Sequence, residues 1–220
     1  MPSQDIVTTR GLILRTFPLR EADLIVSVLT EKEGKLRAVA KGARKSKRRF
    51  LGGLDLFDCG TFEIHGPALA DKLRTLHAFE RALTFTPLRE DFRSLALGSV
   101  MLELTDLLAH DGDPSAGEML NPLARALREL CERKEVPKSA SAVRYFLGAL
   151  RIAGVDPLMN PNALSPAHLE IAEGALRAPE RSTEALLRPL LRALIFYAQD
   201  TVGKRLQSAA SLEEEVRPGR

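Results

Sequence analysis

The strongest chemical feature of the sequence is a dense run of basic side chains in its N-terminal third. No acidic residue occurs between Gly34 and Leu54, whereas the segment holds eight cations: Lys35, Arg37, Lys41, Arg44, Lys45, Lys47, Arg48 and Arg49. Ammonium and guanidinium groups bind phosphate oxygens, and unbalanced positive charge is typical of segments that neutralise a phosphate backbone. These eight residues are therefore predicted to contact nucleic acid.

The composition around the cations predicts a flexible loop. Gly42 lies inside the run, Gly52 and Gly53 follow it, and the apolar residues lack the spacing that a buried helix requires. Such a loop can follow a phosphate backbone without contacting particular bases. If roughly six side chains each neutralise one phosphate, the log-log salt slope for single strands is expected near about −4.

A basic run also has a plain structural explanation, because a solvated surface loop carries charge for solubility alone. Its position favours nucleic acid here, since the run begins on a predicted strand with a positive face. Trp is absent, and the nearest aromatic residues that could stack on bases are Phe17, Phe50 and Phe57. Phe50, beside Arg49, is the predicted stacking residue, and packing against the barrel is its alternative.

Nothing in the sequence indicates an enzyme or a metal site. Four histidines stand singly, without the spacing of metal ligands: His65, His77, His110 and His168. The motifs GxxxxGK(S/T), HExxH and GxSxG do not occur. Cys59 and Cys131 lie far apart and support neither a disulfide framework nor a four-cysteine zinc site. We therefore expect no catalysis, no metal and no cofactor.

The charge is concentrated in one part of the chain. The formal net charge of the 220 residues is +3, but residues 1–80 carry 14 Lys and Arg against 10 Asp and Glu. The sequence has neither a run of about 18 apolar residues nor a signal-peptide pattern. The protein is therefore expected to be soluble and cytoplasmic, with no membrane partner.

Short apolar runs with period-two alternation predict five strands in the N-terminal part. The predicted strands are Gly11–Phe17, Asp23–Thr30, Lys35–Lys41, one within Leu54–His65 and one within Leu73–Glu80. In the third strand, Leu36, Ala38 and Ala40 are expected to face the core, opposite Lys35, Arg37 and Lys41. A closed barrel removes exposed sheet edges, and the five-stranded version that binds oligonucleotides is the OB-fold.

After Pro87 the apolar residues take helical spacing, so the predicted fold class is segregated α+β. Helices are expected near Leu88–Ala109, Ser115–Lys134, Lys138–Ala153, Ala167–Leu176 and Leu187–Val202. Pro122 and Pro189 fall inside these patterns, and either proline can break or shift a helix. The predicted domains are 1–84, the OB-fold, and 85–220, the helical domain, with an irregular segment near 154–166.

Taken as one unit, residues 11–58 resemble the N-terminal domain of the RecO family of recombination mediators. The matching segments are Leu14-Arg15, Arg20 to Thr30, Gly34-Lys35, Gly42 to Arg49, and Gly53 to Phe57. The later part is similar in layout, and a weaker match consists of Gly203, Lys204, Leu206 and Ser208. The N-terminal match is the specific one.

This resemblance implies a DNA repair and recombination mediator of the cytoplasm, associated with the nucleoid. It implies binding of single- and double-stranded DNA, annealing of complementary strands, and work with RecR to load RecA onto strands coated by single-strand-binding protein. Many relatives carry a four-cysteine zinc motif, but residues 154–168 contain no cysteine, so zinc is not implied here.

The resemblance also implies that the helical domain docks the acidic tail of single-strand-binding protein. Such docking needs an apolar groove with a nearby cation. The candidate cations are Arg125, Arg128, Arg144 and Arg151. Two alternatives to the mediator stay open from the residues alone: an OB-fold RNA-binding protein of translation or RNA metabolism, and an interaction scaffold with an incidental basic loop.

Overall fold

The computed structural model describes residues 6–46, 48–50, 52–66, 73–132 and 136–214. The chain divides into two compact units. The first comprises residues 1–84 together with 109–120, and the second comprises residues 85–108 and 121–220. Each unit is described by itself below.

The first unit is a closed five-stranded barrel, as predicted. Its strands are β1 (Ile6–Pro18), β2 (Leu24–Thr30), β3 (Gly34–Ala40), β4 (Cys59–His65) and β5 (Arg74–Leu83). They close in the order β1-β2-β3-β5-β4, in which β3 and β5 are parallel and the other pairs antiparallel. This is the OB-fold, so the predicted fold class is confirmed.

Strand β1 is longer than the sequence predicted, because it pairs with two neighbouring strands, β4 and β2. Its first half pairs with β4, from Ile6 opposite His65 to Leu12 opposite Cys59. Its second half pairs with β2, from Gly11 opposite Thr30 to Pro18 opposite Leu24. The register on β2 shifts between Ile13 and Arg15. One long strand that bends between two partners is what closes the barrel.

The barrel interior is filled by the alternating inward residues of the strands. On β3, Leu36, Ala38 and Ala40 are buried and Arg37 is exposed, as the alternation predicted. Phe62 and Ile64 are fully buried on β4, also as predicted. Burial of each large apolar side chain stabilises the fold by about 1.5–3 kcal/mol, so this interior holds the surface loops in place.

Residues 109–120 pack onto the barrel although they follow the first long helix in sequence. The Gly112 N–H donates to the Lys35 carbonyl at 2.9 Å. Gly34 has φ +63°, and an added Cβ would lie 1.7 Å from the Asp113 carbonyl oxygen. Only glycine fits both the positive φ and this close approach. The predicted domain boundary had placed this segment with the helices.

The second unit is helical. Its helices are α1 (Phe92–Leu108), α2 (Leu120–Cys131), α3 (Lys138–Ile152), α4 (Pro166–Arg177), α5 (Glu184–Val202) and α6 (Ala210–Glu214). Helix α2 continues through Pro122 and helix α5 through Pro189, so neither proline ends a helix. Among the described residues, no helix is both long and apolar enough to cross a membrane.

Candidate nucleic-acid interface

The basic segment begins as a folded turn fixed to the connection between β1 and β2. Gly42 has φ +67°, and its N–H donates to the Asp23 carboxylate at 2.8 Å. Ala43 is buried in the barrel core, and the Arg44 N–H donates to the Ala22 carbonyl at 3.1 Å. Residues Ala43–Lys45 form one turn of 3-10 helix. The sequence predicted a flexible loop here, and part of that loop is folded into this turn.

The far end of the segment is anchored by Phe50. Its side chain is 0% exposed and belongs to the barrel core. Its N–H donates to the Ser46 hydroxyl at 3.3 Å, and the preceding Arg49 carbonyl accepts from the Phe79 N–H on β5 at 3.3 Å. The prediction that Phe50 stacks on bases is not compatible with this burial. Phe50 holds the turn instead, which was its alternative role.

A charged clamp fixes the chain just after Phe50. The Arg81 guanidinium donates to both oxygens of Asp58, at 2.9 and 2.8 Å, and to the Gly53 carbonyl at 2.9 Å. The hydrogen bond to Asp58 and the negative charge of that carboxylate raise the pKa of Arg81 above its ordinary value. Bidentate pairs of this kind are among the strongest polar contacts in proteins. The basic segment is therefore held at both ends.

Between these anchors the cations point to solvent. All five described basic residues of the turn are exposed: Lys41, Arg44, Lys45, Arg48 and Arg49. Lys45, Ser46, Arg48 and Arg49 line an open depression on the surface. Lys47, which the sequence also assigned to the site, lies outside the described residues. The term basic turn is used below for residues 41–49.

The contacts of the basic turn leave most of its charge uncompensated. Lys45 lies 2.6 Å from the Glu21 carboxylate, but the two side chains are 65% and 87% exposed, and such pairs contribute little. Arg44 and Arg49 donate to the backbone carbonyls of Glu21 and Lys41, at 3.2 and 2.8 Å. Carbonyls orient a guanidinium without neutralising it. The turn is therefore an organised cationic surface.

The two cations on β3 have a different environment from those of the basic turn. Lys35 Nζ lies 3.3 Å from Asp111 Oδ1, and Arg37 Nε lies 2.6 Å from Asp111 Oδ2. The Lys35 side chain is 13% exposed. One carboxylate from residues 109–120 thus offsets part of the charge of Lys35 and Arg37, two of the three cations that the sequence placed on an open positive face, although the Arg37 side chain stays 53% exposed. We leave Lys35 and Arg37 out of the interface for this reason.

An exposed aromatic residue lies on the same barrel surface. Phe17 is 40% exposed, and the Arg15 guanidinium carbon lies 4.8 Å from the centre of its ring. Phe17 pairs with Ile25 on β2, and Ile25 pairs with Val39 on β3, two residues before Lys41. Directly opposed residues share a face of the sheet. The spacing of Arg15 and Phe17 by two residues on a strand places both side chains on one face, and this spacing is the sequence signal for the pair.

The helical unit carries a groove of about 300 Å³ on α1, α5 and α6. Its apolar lining includes Leu97, Leu191 and Ile195, and Phe196 at its rim is 71% exposed. Three arginines also line it: Arg93, Arg188 and Arg192. Arg93 pairs with Glu184 at 2.5 Å, whereas Arg192 forms no ion pair with any residue that the structure describes.

The arginines that the sequence suggested for such a groove lie elsewhere. Arg125 and Arg144 contact Glu129, at 3.2 and 3.4 Å, and Arg151 contacts Asp156 at 2.7 Å. Arg128 is exposed on α2. None of the four lines the groove. The spacing of charged residues along separate helices could not indicate which of them share a concave surface.

The barrel topology and its anchored basic turn define the chain as an OB-fold protein with an appended helical unit. The family model described as recombination protein O, N-terminal, matches residues 3–85. The DNA repair protein RecO of Bifidobacterium longum subsp. infantis is 32% identical over 173 residues, which cover 76% of this chain and 70% of that protein. The chain therefore belongs to the RecO family, and the resemblance seen in the sequence is confirmed.

Two further relatives support the assignment to the RecO family. The DNA repair protein RecO of Anaeromyxobacter dehalogenans is 34% identical over 174 residues, which cover 79% of this chain and 66% of that protein. The DNA repair protein RecO of a Nocardioides species is 34% identical over 152 residues, which cover 67% of this chain and 59% of that protein. These matches extend beyond residues 3–85, so the similarity includes part of the helical unit.

Proposed function

We propose that the chain acts in DNA repair and recombination as a non-enzymatic mediator that binds DNA through the basic turn. The observation that carries the proposal is the set of five exposed cations of the basic turn, which Gly42 and Phe50 hold on the barrel. Membership of the RecO family supports the repair role. A fixed cationic surface contacts phosphates in either single- or double-stranded DNA, and its contribution is independent of base sequence.

Phe17 extends this surface in a way that favours single strands. Bases in a single strand are free to stack on an exposed aromatic ring, and such stacking contributes about 1–3 kcal/mol per base. The Phe17→Ala variant should therefore weaken binding of single-stranded DNA and leave binding of a duplex nearly unchanged. Equal losses on both substrates would remove Phe17 from the interface.

Strand annealing follows from the same charge. Two complementary strands repel each other, and a cationic surface that neutralises phosphates on both lowers this repulsion without any covalent step. The proposed partners are RecR and single-strand-binding protein, with RecA engaged indirectly. These partners come from the family, and the basic turn supports only the DNA part of the proposal.

The test measures fluorescence anisotropy of labelled single-stranded DNA, duplex DNA and RNA at two salt concentrations. The variant replaces Arg44, Lys45, Arg48 and Arg49 by Ala, all four of which are exposed. Loss of four phosphate contacts should lower the single-strand salt slope by about 3. Unaltered DNA binding would refute the proposed interface, and clearly tighter binding of RNA would favour the RNA-binding alternative.

The mediator role needs a separate assay. Complementary strands precoated with the cognate single-strand-binding protein should anneal faster with the intact chain than with the four-residue variant. A generic DNA-binding protein should not accelerate this reaction. Absence of acceleration would leave the chain as a DNA-binding module.

The groove of the helical unit favours a second function, docking of the tail of single-strand-binding protein. An acidic peptide with an apolar end complements Leu191, Ile195 and Phe196 beside Arg192. The Arg192→Ala and Phe196→Ala variants should weaken binding of a synthetic tail peptide, and Arg128→Ala, outside the groove, is the matched control. If all three variants bind the tail peptide with equal affinity, the peptide does not dock in this groove.

A further inference from the structure

A β-bulge brings His77 of β5 beside two other potential metal ligands, Glu63 and His65 of β4. On β4 and β5, Ile64 pairs with Leu76 and Glu63 pairs with Ala78, so His77 is an additional residue on β5. Leu76 and Phe79 both face the core although they are three positions apart. The bulge therefore turns His77 outward, onto the face that carries Glu63 and His65.

The three side chains converge closely. His65 Nε2 lies 2.7 Å from Glu63 Oε1, and the rings of His65 and His77 stack with centroids 4.6 Å apart and planes 7° from parallel. One ligand atom from each residue lies within 4.8 Å of the others. The separate positions of the histidines in the sequence predicted no metal site, because a bulge leaves no signal in the local sequence pattern.

We propose that Glu63, His65 and His77 form a binding site for a divalent transition-metal ion of the Zn²⁺ class. Two imidazole nitrogens and one carboxylate oxygen are the donors that Zn²⁺ accepts, with a fourth position left for water. Mg²⁺ and Ca²⁺ prefer sites made of oxygen atoms alone, so this donor set selects against them.

Metal binding requires one imidazole to rotate out of the stack, because lone pairs in two nearly parallel ring planes do not meet at one ion. Ligands around a tetrahedral zinc lie about 3.4 Å apart, which is within the spread of the three ligand atoms. Glu63 and His77 are open to solvent, so they can rotate and an ion can enter directly. The site is fixed by the backbone of two paired strands, and the ladder between Glu63 and Ala78 holds its register.

The alternative is an ion pair between Glu63 and a protonated His65, with His77 stacked beside it. That arrangement also explains the 2.7 Å contact, but it gives no reason for a specific metal affinity. The two explanations therefore differ in a measurable property. The proposal does not depend on DNA binding, so it can be tested on the intact chain alone.

The experiment titrates Zn²⁺ into the full chain by isothermal calorimetry, with Co²⁺ absorption to report the coordination geometry. The expected result is one strong site per chain and a tetrahedral Co²⁺ spectrum. Loss of a direct ligand in His65→Ala or His77→Ala should weaken binding by at least about tenfold. His110→Ala, which removes an exposed histidine of the same unit, should bind as the unaltered chain does.

Three results would overturn the proposal. The first is no saturable Zn²⁺ binding by the intact chain. The second is full affinity in His77→Ala, which would assign the ion to other groups such as the Cys59 or Cys131 thiols. The third is equal competition by Mg²⁺, which would indicate a nonspecific carboxylate. Because His77 is exposed, its replacement should leave the fold intact, and circular dichroism checks this.

Discussion

Strand β3 and the basic turn that follows it carry cations of the same kind in very different environments. On the strand, Lys35 and Arg37 share the Asp111 carboxylate, at 3.3 and 2.6 Å. In the turn, the guanidiniums of Arg44 and Arg49 are oriented by backbone carbonyls and stay exposed. Part of a continuous basic run is therefore paired with a carboxylate of the same unit, and the rest remains available to a partner.

The difference teaches that unbalanced charge in sequence is not the same as unbalanced charge on the surface. The counter-charge of the strand comes from residues 109–120, which the close approach at Gly34 brings against β3. The turn has no such partner among the described residues except Glu21, whose side chain is 87% exposed. Predictions that separate the two sets of cations test this account.

The largest expected effect concerns the anchor of the turn. Replacing the fully buried Phe50 by Ala should lower the free energy of unfolding by about 3–5 kcal/mol, because it leaves a cavity in the barrel. Phe17→Ala, at a residue 40% exposed, should cost less than about 1 kcal/mol. Urea denaturation of both variants checks this, and similar costs would contradict the burial of Phe50.

A smaller effect is expected from releasing the strand cations. Asp111→Asn removes the counter-charge of Lys35, which is 13% exposed, and should destabilise the barrel by about 1–2 kcal/mol. It should also tighten DNA binding, because Lys35 and Arg37 are no longer compensated. Glu31→Gln, which removes an exposed ion pair with Arg10, is the matched control and should change stability less. Unchanged stability and affinity in Asp111→Asn would show that this carboxylate compensates nothing.

The helical unit contains a similar ion pair, between Lys138 and Asp91, whose expected effect on stability is smaller. The hydrogen bond from Lys138, assisted by Ser94, lowers the pKa of Asp91 from 3.8 to about 2. A carboxylate whose pKa is lower in the folded protein than in the unfolded chain stabilises the fold at pH values above the unfolded-state pKa. This stabilisation is lost as the pH falls toward 2. Because the Asp91 side chain is 45% exposed, we expect only about 1 kcal/mol.

Asp91→Asn tests this directly. At pH about 5 the variant should be less stable than the unaltered chain, and the difference should close as the pH falls through about 4 toward 2. Urea midpoints at several pH values measure the difference. A difference that stays constant over this range would show that the ion pair with Lys138 contributes nothing.

Much of the fold could be predicted from the sequence, because local patterns determine it. The alternation of Leu36, Ala38 and Ala40 fixed the core face of β3. The periodicity near Lys138 predicted α3, which spans Lys138–Ile152. The extent of β1 could not be predicted in the same way, since its first half exists only because β4 pairs with it.

The site was less predictable, because its features depend on contacts between distant residues. Asp111 lies 74 positions after Arg37, so no local pattern links the two. Phe50 carries no polar group that would indicate whether its side chain faces bases or the core. Its burial depends on the residues that the closed barrel brings around it. The cluster of Glu63, His65 and His77 depends on a bulge, which shifts the register by a single residue.

The most direct test of the account compares two single arginine replacements in one unit of the chain. Arg48→Ala removes an exposed cation of the basic turn, and Arg37→Ala removes a cation already paired with Asp111. Single-stranded DNA affinity is measured for both across a salt series. Arg48→Ala should lower the salt slope by about 0.7 and weaken binding about fivefold near 0.1 M salt. Arg37→Ala should lower the slope less than Arg48→Ala does, and an equal or larger loss at Arg37 would contradict the account.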